Sequence, residues 1–259
     1  MGAFVFQSAF AEFFRAKRVI VWIIVAIAIY AAAIAYVRLG GAEAEDAYAT
    51  LSSLLVFRLL PLASAIFSSA VLSQEIEQKT IVYMLTRPIP RPVFLTMRTL
   101  ASALSVFVVT SIAAVALALA VYGSSGPSNH FLWRDLVAIA VGSLAYGSLF
   151  VLLSLLVNRA MIISLLFAFA WETSVPSMPG SVYLMSISTH LTAIAQRPSS
   201  GAPAQGRGGV LTVVANALGT NTLSPTVGWI AMISLIAFCM IFGAWWFRHF
   251  EYLPREDAE

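Results

Sequence analysis

The chain has 259 residues, of which 60% are hydrophobic and only 10% charged, and its mean hydropathy is +0.88. Soluble chains carry roughly 45–50% apolar and about 25% charged residues, so this one lacks the polar surface to stay in solution. The net charge of +3 rests on few groups, and no basic run is denser than Arg15–Arg18 (RAKR), which directly precedes an apolar stretch. That position marks a topology signal rather than a nucleic-acid patch. A lone cysteine, Cys239, excludes a disulfide framework or a thiolate metal site within one chain.

Residues 1–18 read as an amphipathic elbow. Phe6, Phe10, Phe13 and Phe14 fall on one helical face, with Ser8, Glu12 and Arg15 opposite. Such a helix lies in the membrane interface or packs as a cap on the protein. The apolar core that follows is too long for a signal peptide, and Phe6 stands where N-myristoylation needs Ser or Thr. Val19–Val37 then runs nineteen residues without a charge. At 1.5 Å per residue that is about 28 Å, enough for a hydrocarbon core of roughly 30 Å.

Five further segments follow between residues 19 and 247. The second span, 51–73, carries Arg58 and Pro61, and 99–122 and 136–157 are clean spans around the polar turn Gly123–Asp135. The fifth, 161–185, is irregular, because Glu172, Pro176 and Pro179 interrupt it after Trp171. Ser181–Gln196 suits a short helix in the outer interface, and Pro198–Gly209 reads as a Pro/Gly/Ser-rich loop. The sixth span is 227–247, and 248–259 forms a tail. The fold class is an all-α polytopic membrane protein with six transmembrane helices. With the N-terminus inside, the inner segments hold ten Lys and Arg and the outer ones four: Arg38, Arg134, Arg197 and Arg207. That asymmetry predicts a multi-pass protein of the inner (plasma) membrane with both termini cytoplasmic.

Enzymatic chemistry finds little support. Gly123–Gly126 (GSSG) matches the serine motif of rhomboid-type proteases, but the last span lacks the partner histidine and His249 lies at its opposite end. Lys79–Thr80 lacks the glycines of a phosphate-binding loop. His130, His190 and His249 have no ligand spacing, so no metal site is expected.

The most informative stretch joins spans two and three. The second span is expected to continue as a helix into the cytoplasm, carrying Glu75 and Glu77, and Pro88, Pro90 and Pro92 then stop an apolar run. On composition alone this is a solvated loop. Its residues, however, resemble the signature of type-2 ABC transporter permeases, roughly E-x-E-x-G-T-x-x-x-L-x-S-x-P-[IV]-x-R. Glu75, Glu77, Thr80, Pro88, Ile89 and Arg91 match it, Leu85 lies one position past the leucine and Thr86 stands for the serine, while Lys79 replaces the usual glycine and Arg98 a lysine. Trp171–Glu172, Met178–Gly180 and Ser186–Ser188 add to the likeness.

The resemblance implies a permease subunit of an ABC-type exporter that has no ATPase site or cofactor of its own. It would form the translocation path with a second permease copy, as a homo- or heterodimer. ATP and Mg would be bound by a separate ATP-binding subunit on the cytoplasmic face, coupled through Glu75, Glu77, Thr80, Leu85, Pro88 and Arg91. Ala28, Ala32 and Ala35 form a small-residue stripe suited to the dimer seam. Arg58 and Glu172 lie at similar depth and suggest a gate pair, with outward snorkelling of Arg58 as the alternative. An ATP-independent channel or carrier and a non-transporting membrane anchor are the rival readings. Nothing in the residues selects a cargo.

Overall fold

The computed structural model describes residues 6–7, 10, 16–40, 44–77, 91–157, 159–177, 182–196 and 223–249. Among these every regular element is helical. Five helices are long and apolar enough to cross a membrane, and Ala160–Ser174 is a shorter apolar one.

The first span is α1 (Ala16–Gly40). The second is compound: α2 (Ala44–Leu51), a π-helical turn Ser52–Val56, and α3 (Phe57–Glu77). It begins seven residues before the apolar run, because Glu45 and Asp46 occupy the first turn of α2. There the positive end of the helix dipole favours acids. The third and fourth spans are α4 (Arg91–Tyr122) and α5 (His130–Leu156), joined by a 3-10 turn at Gly123–Ser128. Asn129 starts α5, its side chain accepting the Phe131 N–H at 3.0 Å. The last span, α8 (Pro225–His249), is reached through α7 (Ile187–Ile194).

Burial orders these helices. In the most apolar stretch of α5 61% of residues are buried, against 11% in α1 and 22% in α8. The fourth span is therefore the axis of the bundle, with α3, α4, α7 and α8 packed on it. Side chains without bulk permit the close approach. Gly147 of α5 faces Ala103 and Ser68, and Ser68 donates to Ser102 at 3.3 Å. Most other buried hydroxyls turn back on their own helix: Ser105 to Ala101 at 2.8 Å, Thr110 to Val106 at 2.8 Å, and Ser69 to Ala65. In lipid, where apolar surface alone gives helices no reason to associate, such small-residue packing holds them together.

The turn Gly123–Ser128 makes α4 and α5 antiparallel, which gives the bundle an Ala16 end and a Tyr122 end. Contacts along α8 fix its direction: Gly228 lies against His190 and Ile194, and Gly243 against Leu95, Leu152 and Leu155.

The fifth segment is irregular and broken, as expected. It is α6 (Ala160–Leu166), a π-turn Phe167–Trp171, one turn Glu172–Ser174 and a 3-10 turn Val175–Ser177 containing Pro176. The apolar helix of Ala160–Ser174 has 15 residues, about 22 Å, which is short of a roughly 30 Å core. The helix expected within 181–196 does form, as α7, but inside the protein rather than in the interface. Its Ile187, His190, Leu191 and Ile194 are buried against α5 and α8. Of the N-terminal aromatic face, Phe6 and Phe10 stack at 6.1 Å and rest on the hydrophobic core. Phe13 and Phe14 lie outside the described residues, as do 198–209 and the tail from 250.

Candidate functional site

Two places draw together the residues that the sequence singles out. The first is the Ala16 end of spans two and three. From Ser68, level with Gly147, nine residues carry α3 to Glu77 and nine carry α5 to Leu156, so both helices stop at about the same level. Glu75 and Glu77 sit in the last turn of α3, and Arg91 opens α4. Thr80, Leu85 and Pro88 fall outside the described residues. Just inside this end Arg98 is buried, its guanidinium 5.3 Å from the centroid of the Phe94 ring.

The second is at the Tyr122 end. In the π-turn Phe167–Trp171 the Glu172 N–H reaches back five residues to the Phe167 carbonyl. The extra residue rotates everything after it by about 100° relative to an unbroken helix. That rotation turns Glu172 inward, where it is only 3% exposed. Its carboxylate accepts the Ser186 hydroxyl at 2.7 Å, the Ile187 N–H at 3.1 Å and the Ser188 N–H at 3.2 Å. Ile187 and Ser188 are the first residues of α7. The side chain thus caps a distant helix whose free N–H groups and dipole both favour an anion.

Arg58 is not part of this arrangement. It is exposed on α3, and Glu172 has its partners in α7, so the expected pair does not form in this structure. Depth arithmetic matched the two charges. What satisfies the carboxylate instead is neutral hydroxyl and amide donors.

A second buried carboxylate escaped the sequence reading. Asp135 is fully buried and accepts the Tyr48 hydroxyl and the Ser52 hydroxyl, each at 2.9 Å. It ties α5 to the other π-turn, where the Phe57 N–H likewise bonds five residues back to Ser52. In the sequence Asp135 merely closes a polar turn. Asn129 as a helix cap was the signal that could have moved it inside α5. The stripe Ala28, Ala32 and Ala35 is exposed, facing away from the α1–α4 contact in which Ala26, Ile29 and Ala33 are buried.

A membrane-spanning helical bundle with a broken fifth span and a helical connection at one end defines a polytopic membrane protein. A family model described as ABC-2 family transporter protein matches residues 10–174, well over half of the chain. The chain belongs to that family and is a transporter membrane component. No curated protein matches it.

Proposed function

We propose that the chain is the permease subunit of an exporter, driven by a separate ATP-binding subunit that binds ATP and Mg and docks on residues 75–91. One observation carries this reading. Helix α3 runs unbroken to Glu77 and α4 resumes at Arg91, so the connection hangs between two long helices that both pack on the central α5. A push there acts on the core rather than being absorbed. Glu75, Glu77 and Arg91 give the contact its register through charge. The positive-inside asymmetry puts this end, and both termini, in the cytoplasm. A second permease copy completes the path across the exposed stripe of Ala28, Ala32 and Ala35. An ATP-independent carrier needs ionisable groups along a midplane route, whereas Arg58 is exposed and Glu172 is engaged in capping α7.

The test is co-reconstitution with the ATP-binding subunit. Cysteines at Glu77 and Arg91 should each cross-link to that subunit. Glu77→Lys and Arg91→Glu should abolish stimulation of its ATPase while leaving membrane insertion intact. Absence of cross-links at both positions, with hydrolysis unaffected by either reversal, refutes the docking site.

A further inference from the structure

A cavity of about 560 Å³ opens between spans five and six, a volume in the range of small-molecule sites. It lies apart from the connection at the Ala16 end and from the exposed face of α1, and most of its walls come from residues beyond 174, outside the matched part of the family.

Its walls change character with depth. Where α7 crosses α8 the lining is polar, with Ser186 and His190. The His190 carbonyl lies against Gly228, three residues into α8, hence about 5 Å along its axis. Further down, Met232, Leu235 and Phe238 of α8 face Leu149 and Phe167. From Ala231 to Phe238 is seven residues, about 10 Å of wall at hydrocarbon depth, apolar except for Ser234. The rim is bare: Met185 is 66% and Phe238 61% exposed, on the side where α8 meets the bilayer.

The polar end is unfinished. His190 is buried, with 7% exposure, and its Nε2 lies 2.8 Å from the Leu184 carbonyl. A carbonyl only accepts, so Nε2 carries the proton and Nδ1 of the neutral ring is an acceptor. Among the described residues the buried Nδ1 has no hydrogen-bond partner. An unmet acceptor at the edge of a hydrocarbon layer costs free energy until a donor arrives.

We infer that this cavity holds one acyl chain of a bilayer lipid, its polar head donating a hydrogen bond to His190 at the α7–α8 crossing and its tail lying along Met232–Phe238. The occupant's two ends match the two ends of the cavity. A freely soluble molecule has no reason to enter a site whose mouth faces lipid. The Glu172 cap has a part in this as well, since it fixes Ser186 and Ile187, which form one wall.

The experiment uses the full chain in lipid nanodiscs and two photoreactive probes: a diazirine-bearing sixteen-carbon alcohol, and its methyl ether, which cannot donate. The alcohol should label Met185, Leu235 or Phe238 saturably, and the ether several-fold less. His190→Phe should erase that preference. Ala231→Trp, which fills the cavity, and Met185→Trp, which blocks its exposed rim without touching the core, should each cut labelling there at least five-fold. Labelling of the lipid-exposed Ile23–Ile27 face of α1 should not change and reports intact insertion. Non-saturable labelling equal to that of α1, or labelling indifferent to both tryptophans, overturns the proposal. It also falls if cysteines at Met185 of two copies cross-link while the probe is excluded, since a second copy then covers the cavity.

Discussion

Removing the Glu172 carboxylate should unfasten α7 from the fifth span. The carboxylate satisfies one hydroxyl and two backbone N–H groups at 2.7–3.2 Å, all of them buried or half-buried. Hydrogen bonds to a charged acceptor contribute about 1.5–3 kcal/mol each, and orphaned donors keep their desolvation penalty. Contact with a partly buried helix terminus adds up to about 2 kcal/mol. Glu172→Ala should therefore destabilise the protein by about 3–6 kcal/mol. The loss is incomplete because Ser186 also pairs with Ser188 at 2.8 Å and can turn further to it. Glu172→Gln keeps one acceptor oxygen but presents an NH₂ to donors, so about 2–4 kcal/mol should be lost. Unfolding of the purified chain by SDS titration reads both, and cysteine accessibility at Ile187 shows whether α7 has detached. Arg58→Met should change little, and its effect should add to that of Glu172→Gln within about 0.5 kcal/mol, as for residues without contact. A loss below about 1 kcal/mol for Glu172→Ala, or strong coupling to Arg58, refutes the clamp.

Gly142 has no room for a side chain: an added Cβ would lie 2.6 Å from a Leu60 methyl and 2.7 Å from one of Leu191. Both neighbours are flexible ends, so Gly142→Ala should cost only about 1 kcal/mol and Gly142→Val about 2–3 kcal/mol, measured by the same SDS titration. Ala32→Leu should shift the monomer–dimer balance in detergent towards monomer, read by single-molecule photobleaching. An unchanged balance moves the seam away from α1.

What the sequence made legible were the elements defined by long, charge-free apolar runs. Spans one, three, four and six follow from them with ends displaced by up to eight residues, since caps and first turns tolerate polar groups that an apolar count rejects. Glu45 and Asp46 looked like loop but begin α2, and Asp135 looked like turn but sits inside α5 behind the Asn129 cap. The π-turns left no sequence signal, because one extra residue in a helical turn does not alter composition, yet they decide where Ser52 and Glu172 point. The Glu172 partner was missed for a related reason: a search for opposite charges sees Arg58 and cannot see backbone N–H groups. The connection between spans two and three was legible only by resemblance, and of its residues the structure describes Glu75, Glu77 and Arg91.

The two buried carboxylates share a design with a mechanical consequence. An ionised side chain in a bilayer without partners costs at least ~2.5 kcal/mol, and a cation is the obvious remedy. Asp135 and Glu172 both gather hydroxyl or amide donors from a neighbouring element, towards the Tyr122 end. A flexible Lys or Arg keeps contact while it slides, but two or three short bonds to fixed donors are lost if the helices move by more than an ångström or so. The Tyr122 end is therefore pinned at two points, whereas the α3–α4–α5 seam below has Gly147, Ala103, Ser68 and Ser102 at its close approach, among larger apolar side chains such as Leu60 and Phe150. Most hydroxyls there bond their own helix and so bind nothing across it. On the proposed coupling, displacement applied at the Ala16 end should be taken up as tilting of these helices about the clamped end.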